Sequence, residues 1–362
     1  MTPQAVLVAC LGPPAFYGLV YGLHRWLPAK VVDGYLTDEG GAPLRYLING
    51  RWVLLALLLL ITAVTQVGLL DWTTFHEHRW SMLAGACALG LGYTLQLVLS
   101  APSTGKPLLA DLFLGRTENR FYGPVDAKMY LYLAGACMLF VNAISFTMFH
   151  HRALPDTNPG VYLHAALLCF FVLDYLTFER VHLFTYDLFA ERLGFKLAWG
   201  CLVFYPFFYV VGLWGTVALP TPPVIERFGA LWLGFSALVF LAGWALARGA
   251  NMQKYHFKLD PERPFLGMTP EAVSDNQGRL LCSGFWGIAR HVNYLGEILM
   301  ATGLALSLGH FDVVWPWLYP LYYVLLLGTR ERDDDRRCAE KYGPLWEQYR
   351  QRVPYRIVPK IY

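Results

Sequence analysis

The stretch from Leu281 to Glu297, LCSGFWGIARHVNYLGE, places four polar side chains where a long apolar run begins. They are Arg290, His291, Asn293 and Tyr294. Together they supply hydrogen-bond donors and one ring that titrates near neutral pH. One interpretation is a belt of amphipathic side chains at a membrane boundary. Asn293 favours a binding site instead, because burying an amide without a partner costs free energy.

Two further pairs of ionisable residues are spaced four apart. Lys254 and Lys258 would share one face of a helix, where two cations repel unless an anion lies between them. A phosphate-bearing ligand and an anionic lipid surface explain this pair equally well. Arg330 and Asp334 have the same spacing. They are either an exposed ion pair within one helix, or an arginine that binds phosphate beside a carboxyl that donates a proton.

Two acidic residues and two phenols lie at or near the end of an apolar run. The acids are Asp174 and Glu179, and the phenols are Tyr175 and Tyr186. Acids at membrane depth are costly and usually face a bundle interior or a polar cavity. A structural hydrogen bond and a catalytic role both remain open here.

The composition indicates which elements must position these side chains. Of the 362 residues, 56% are hydrophobic and 15% are charged, and the mean hydropathy is +0.38. These values predict an all-α integral membrane protein, a polytopic bundle of about nine to ten transmembrane helices. The net charge of +3 without a basic stripe argues against a nucleic-acid partner. No HExxH motif is present, and four of the histidines lie in weakly charged loops, so we expect no metal.

Apolar runs and basic residues together predict the topology. The predicted spans are 4–24, 52–71, 81–101, 130–149, 161–179, 196–219, 229–247, 292–309 and 313–328. Basic residues concentrate in alternate loops and in the C-terminal tail, which predicts that these parts are cytoplasmic and the N-terminus is outside. The chain becomes polar after Gly249. We therefore divide it into a transmembrane bundle at 1–250 and a cytoplasm-facing region at 251–362 that includes the last transmembrane hairpin.

Three C-terminal segments carry a resemblance to a known family. SGFWGIARHVNYLG resembles the SGxWGxxRHxNYxG motif of the sterol reductases that remove Δ14 or Δ7 ring double bonds, which are related to the C-terminal domain of lamin B receptor. KYGPLWEQYRQRVPYR is similar to the family's terminal pattern, and QKYHFKLDP is similar to its QKxxFRxxP segment, with Lys258 in place of the arginine. The resemblance covers about 27–362, and the last hundred residues are its specific part.

The resemblance implies an NADPH site in 251–362 and a lipid-accessible sterol pocket to which 1–250 contributes. It places Lys254 and Lys258 on the phosphates and Arg330 on the cofactor, and it makes Asp334 a proton donor beside it. Tyr175, Tyr186 and Glu179 are candidate catalytic partners or substitutes for this acid. The remaining predicted cofactor contacts are Trp286, Arg290, His291, Asn293, Tyr294 and Tyr342. The protein would lie among membrane lipids, in the endoplasmic reticulum of a eukaryote or the inner membrane of a bacterium.

The chain departs from the family's HRxxRDE motif. Thr329 replaces its histidine and Asp333 its second arginine, for which Arg332 is a possible substitute. We expect NADPH-dependent reduction of a sterol double bond, with Δ14 favoured over Δ7 by NYLGE and VPYRIVPKIY, although SGFWGIARH leans toward Δ7. An alternative of another class is a methyltransferase that uses S-adenosylmethionine, similar to the isoprenylcysteine carboxyl methyltransferases, which share the RHxxY turn. A membrane scaffold without activity is a third.

Overall fold

The computed structural model describes residues 3–276 and 278–362. The chain forms two compact units, 1–220 and 221–362. The division between these compact units lies before the whole of the long helix that carries Lys254. Which side chains in each region hold a ligand stays a prediction.

The first unit is helical, with two small antiparallel hairpins. The hairpins are β1 (Lys30–Thr37) with β2 (Pro43–Ile48), and β3 (Phe121–Tyr122) with β4 (Val125–Asp126). In chain order the helices are α1 (Pro3–Trp26), α2 (Gly50–Gln66), α3 (Thr74–Glu77), α4 (Arg79–Leu99), α5 (Leu108–Leu114), α6 (Ala127–Ala153), α7 (Pro159–Thr177), α8 (Glu179–His182), α9 (Tyr186–Phe189), α10 (Phe195–Trp199), α11 (Tyr205–Phe208) and α12 (Val211–Thr216).

Helix α6 is the core of this unit. It is apolar around its whole circumference, and 78% of its most apolar stretch is buried inside the protein, as expected for a helix surrounded by others. The side chain of Asp126 accepts a hydrogen bond from the Met129 amide at 2.9 Å and so caps its first turn. Asn158 caps the following helix in the same way, by accepting from the Gly160 amide at 2.8 Å.

The predicted span 196–219 is a series of short helical pieces. A π-helical turn, Gly200–Phe204, separates α10 from α11. Pro206 follows as the second residue of α11, and proline has no amide hydrogen with which to continue a regular helix. Pro206 therefore accounts for the local irregularity of the helix. The segment 195–216 as a whole is long and apolar enough to cross a membrane once.

The second unit holds four more helices of eight or more residues and one hairpin. Its elements are α13 (Pro223–Phe228), α14 (Ala230–Leu259), β5 (Ala272–Asp275), β6 (Gly278–Leu281), α15 (Phe285–Ile288), α16 (Val292–Leu308), α17 (Trp315–Tyr342) and α18 (Pro344–Arg352). Strands β5 and β6 pair antiparallel, with Ala272 opposite Leu281 and Asp275 opposite Gly278.

Helices α14 and α16 approach each other through small residues. A methyl group added at Gly243 would collide with the Gly296 carbonyl, and one added at Gly303 would collide with the backbone of Phe240. Small residues allow helix backbones to come this close in membrane proteins. The contact fixes the start of α16 beside the last turns of α14, where most of the predicted site residues lie.

The prediction of a polytopic membrane helix bundle is confirmed. Within the described residues, five helical segments are long and apolar enough to cross a membrane: Arg79–Leu99, Ala127–Ala153, Pro159–Thr177, Phe195–Thr216 and Ala230–Leu259. Helices α2 and α16 are apolar but shorter. The other two predicted spans fall on α1 and on the first half of α17.

Candidate functional site

The last turns of α14 carry Lys254 and Lys258, so the two lysines lie four apart on one helix and share one of its faces. A helix of 30 residues is about 45 Å long and exceeds a hydrocarbon core of about 30 Å, so one end projects from the bilayer. The Lys254 ammonium lies 4.8 Å from the centre of the Trp286 ring, a cation–π contact. The Trp286 indole in turn donates to the Ala250 carbonyl at 2.8 Å.

A tight turn before α15 holds Trp286 in this position. The Gln253 side chain accepts from the Phe285 amide at 2.9 Å and donates to the Ser283 carbonyl at 3.3 Å. Gly284 between them has φ 61°, and a methyl group there would collide with the Gln253 amide. The SG pair of the sequence motif therefore has a structural reason, since only glycine adopts this conformation without strain.

The Arg290–His291 turn is tied to the chain segment that follows α18. The Arg290 amide donates to the Tyr355 carbonyl at 2.9 Å, and the His291 amide donates to the Arg356 carbonyl at 2.8 Å. The Arg290 guanidinium also donates through Nη1 to the carbonyls of Val353 and Pro354, at 3.1 and 3.0 Å. Arg290 is only 4% exposed. Its observed contacts therefore position the tail against the start of α16.

His291 is buried and faces a carboxyl. It is 5% exposed, and its Nδ1 lies 3.9 Å from Asp334 Oδ2. Burial, followed by the charges of Lys254, Arg290 and Arg356, lowers the pKa of His291 to about 3. The ring is therefore neutral at pH 7, and its contact with Asp334 is not an ion pair despite the short distance.

Asp334 lies beyond the apolar part of α17, one turn after Arg330. Burial raises the pKa of Asp334, while the positive charges of Lys254, Arg337 and Arg330 oppose this shift. A carboxyl that holds its proton more tightly than an exposed one is suited to donating it in a reaction near neutral pH.

Three buried polar atoms of the stretch 290–293 have no hydrogen-bond partner among the described residues. They are Arg290 Nε, His291 Nε2 and Asn293 Oδ1. The Asn293 amide group donates only a long contact, 3.5 Å, to Asn251 Oδ1, and the His291 ring stacks on Tyr294 with centroids 4.8 Å apart. Buried atoms of this kind are rare and usually have a partner in the functional state. Together with the nearby cations, they fit a polar, anionic cofactor.

Tyr342 lies at the C-terminal end of α17. It packs in a cluster with Cys282, Cys338 and Trp346, and the Lys341 ammonium lies 4.9 Å from its ring centre. The predicted cofactor residues thus come from three places in the second unit: the end of α14, the stretch from α15 to the start of α16, and the polar half of α17.

The other three predicted catalytic residues belong to the first unit. Tyr175, near the end of α7, stacks on His182 with ring centres 3.9 Å apart. Glu179 lies beyond that helix and accepts a hydrogen bond from the Gly50 amide at 2.9 Å, and burial raises its pKa to about 7. Tyr186 begins α9, and its ring lies 6.1 Å from that of Phe189.

Sequence reasoning missed Glu331. This residue is 0% exposed, and its Oε2 accepts from the Arg356 guanidinium at 3.2 Å and from the Tyr362 hydroxyl at 3.4 Å. It therefore holds the segment whose carbonyls bind Arg290. A signal was present in the sequence, because the buried face of α17 continues at four-residue spacing through Tyr319, Tyr323, Leu327 and Glu331.

These features define an integral membrane protein with a polar, cation-rich candidate site in its C-terminal unit. The chain belongs to the ergosterol biosynthesis ERG4/ERG24 family, whose model matches residues 13–362. This confirms the resemblance to the sterol reductases that the C-terminal motifs indicated.

Similar proteins occur in distant organisms. The chain is 33% identical over 353 residues to the Delta(14)-sterol reductase of Arabidopsis thaliana, covering 93% of this chain and 91% of the relative. It is 31% identical over 361 residues to the Delta(14)-sterol reductase of Methylotuvimicrobium alcaliphilum, covering 94% and 80%. It is also 31% identical over 378 residues to the Delta(14)-sterol reductase TM7SF2 of Mus musculus, covering 100% and 86%.

Proposed function

We propose that this enzyme reduces the Δ14 double bond of a membrane sterol with NADPH. The names of the similar reductases favour Δ14 over the Δ7 alternative. The observation that carries the proposal is the position of Asp334. A carboxyl with a raised pKa lies 3.9 Å from a buried neutral histidine and within the field of Lys254.

A ring alkene without an electron-withdrawing group is a poor hydride acceptor until it is protonated to a carbocation. The bound nicotinamide would supply the hydride. The protein must supply the acid and exclude water that would capture the cation. Asp334 is the proposed acid, because burial keeps its proton available at a higher pH than that of an exposed aspartate.

The same region offers a grip for a phosphorylated dinucleotide. Lys254, Lys258 and Arg330 are the proposed phosphate contacts, since three cations from two helices can neutralise an anion that none could alone. The flat rings of Trp286 and Tyr294, the side chains of Asn293 and Tyr342, and the remaining donors of Arg290 and His291 would orient the sugar and nicotinamide. The basic loops favour a cytoplasmic position for this site.

Tyr175, Glu179 and Tyr186 are proposed as partners of the acid or substitutes for it. Glu179, with a pKa of about 7, is protonated in about half of the molecules at pH 7 and therefore also holds a proton to donate. Glu179→Gln tests its role. If Glu179 is the acid, this variant loses turnover and Asp334→Asn does not. If Asp334 is the acid, the reverse holds.

The function is tested with purified protein in detergent, supplied with NADPH and, separately, a Δ8,14-sterol and a Δ7-sterol. Mass spectrometry of the products should show loss of the Δ14 bond. In D₂O, one deuterium should enter the product from the acid. In a separate experiment with NADPH deuterated at the position of the transferred hydride, one deuterium should enter the product from the nicotinamide. Failure to reduce either sterol would contradict the assignment. Thermal stabilisation by S-adenosylmethionine and not by NADPH would support the methyltransferase alternative. If neither ligand stabilises the protein, the result would support the scaffold alternative.

The acid is tested with Asp334→Asn against Asp333→Asn, a matched change at the exposed neighbouring position. Loss of general-acid catalysis should lower kcat by about 10²–10⁴-fold, whereas the control should retain it. NADPH binding, followed by quenching of tryptophan fluorescence, should remain in both variants. Equal turnover by Asp334→Asn and the parent would refute Asp334 as the proton donor.

A further inference from the structure

A cavity of about 270 Å³ lies in the first unit, apart from the residues discussed above. Five tyrosines form most of its wall: Tyr17, Tyr21, Tyr93, Tyr122 and Tyr130. Tyr17 and Tyr21 come from the last turns of α1, Tyr93 from α4, and the other two from β3 and the start of α6. Helices α1 and α4 touch at Gly85, where a methyl group would collide with the Cys10 backbone. The cavity lies further along both helices, toward the ends that precede the basic loops.

The tyrosine hydroxyls are largely used by the protein itself. Tyr17 donates to the Leu202 carbonyl at 2.5 Å, and Tyr130 donates to the Tyr17 carbonyl at 2.8 Å. Tyr93 donates to the Tyr122 hydroxyl at 3.2 Å. With these groups satisfied, the rings offer apolar surface to an occupant. The volume is below the roughly 300–1,000 Å³ of sites for drug-sized ligands, which suits a length of hydrocarbon chain better than a four-ring sterol.

Two arginines lie beside this cavity. The Arg120 guanidinium is 5.4 Å from the centre of the Tyr122 ring and donates to the Ser100 hydroxyl at 2.6 Å. Arg25 approaches the neighbouring residue, since a methyl group at Gly123 would lie 4.0 Å from its Nε. A cation held against an aromatic ring keeps donors available for a phosphate. Apolar walls with two cations at one edge are complementary to an anionic amphiphile.

We propose that this cavity binds one acyl chain of an anionic glycerophospholipid, whose phosphate lies against Arg25 and Arg120. Other cations of these loops meet lipid only through the general attraction of a basic surface, worth about 1 kcal/mol, or about fivefold in affinity, for each residue. A seated chain adds a site with a definite stoichiometry. The proposal is independent of the sterol reaction, because it concerns residues to which that reaction assigns no role.

Native mass spectrometry of the detergent-purified protein tests the proposal, by titration with dioleoylphosphatidylglycerol and with dioleoylphosphatidylcholine. One phosphatidylglycerol should bind, at a concentration at least about fivefold lower than phosphatidylcholine requires. The double variant Arg25→Gln/Arg120→Gln should lose this preference, and Lys106→Gln, an exposed cation of the same loop, should keep it. Leu89→Trp, which fills the cavity from its wall, should weaken both lipids.

A second measurement needs no variant. Phosphatidylglycerol with a photoactivatable group in its acyl chain should crosslink to peptides of α1 and α4 in the unmodified protein. A preference for phosphatidylglycerol that survives the double arginine change would overturn the proposal. So would unchanged binding by a folded Leu89→Trp protein, crosslinks confined to other helices, or displacement of the lipid by a sterol, which would make the cavity a sterol site.

Discussion

The buried imidazole of His291 should make the protein sensitive to acid, and His291→Gln should remove that sensitivity. The pKa falls from 6.5 in the unfolded chain to about 3 in the folded protein. The unfolded state therefore binds more protons below pH 6.5, and the free energy of unfolding decreases as the pH falls from 6.5 toward 3. From these two values, the loss between pH 7.5 and 4.5 is about 2.7 kcal/mol for this one residue.

The assay compares the free energy of unfolding of the parent and the variant across this pH range, in detergent, by denaturant titration with tryptophan fluorescence. Other groups titrate in both proteins, so their difference isolates His291. Loss of the stacking contact with Tyr294 adds an offset that does not depend on pH. His151→Gln changes an exposed histidine and should follow the parent. If the parent and His291→Gln lose stability in parallel down to pH 4.5, the ring is not held neutral by its surroundings.

Three further substitutions in the second unit have expected outcomes. Asn293→Asp places an anion beside the proposed phosphate contacts, and should weaken NADPH by about tenfold or more. Unchanged NADPH binding by the folded variant, measured calorimetrically, would move the cofactor elsewhere. Gly284→Ala forces a side chain onto φ 61° and should lower the free energy of unfolding by about 1–3 kcal/mol, whereas Gly328→Ala, with open space around it, should not destabilise. Glu331→Gln removes the charged partner of Arg356 and should speed proteolysis after residue 352. Equal cleavage rates would show that this pair does not hold the tail.

Apolar runs predicted the membrane-spanning elements better than they predicted where those elements end. Each predicted span falls on a helix or, for 196–219, on a series of short helical pieces. However, α14 continues as one helix to Leu259, twelve residues past the predicted end. A hydropathy pattern ends where the chain becomes polar, whereas the hydrogen-bond ladder of a helix continues as long as no residue breaks it. The four-residue spacing of Lys254 and Lys258 is compatible with this continuation, because on a helix it places both side chains on one face.

For the candidate site, sequence spacing predicted which residues lie near one another along the chain, but not their long-range contacts. Spacing grouped Arg290, His291 and Asn293 in one short stretch. In the structure Arg290 and His291 are buried and Asn293 is half-buried, so they do not form an exposed surface belt. It could not show that the guanidinium of Arg290 holds the carbonyls of Val353 and Pro354, because those partners are more than sixty residues away.

The long-range contacts join the three sequence motifs into one assembly. Gln253 of the QKYHFKLDP segment fixes the turn at Gly284 of the SGFWGIARHVNYLG segment. Arg290 and His291 of the latter then bind the main chain of the C-terminal KYGPLWEQYRQRVPYR segment. A substitution of Gln253 or Arg290 therefore acts on the position of His291 without replacing His291 itself. Substitution of a positioning residue of this kind should lower NADPH affinity and the free energy of unfolding together. Substitution of the acid itself should lower turnover alone.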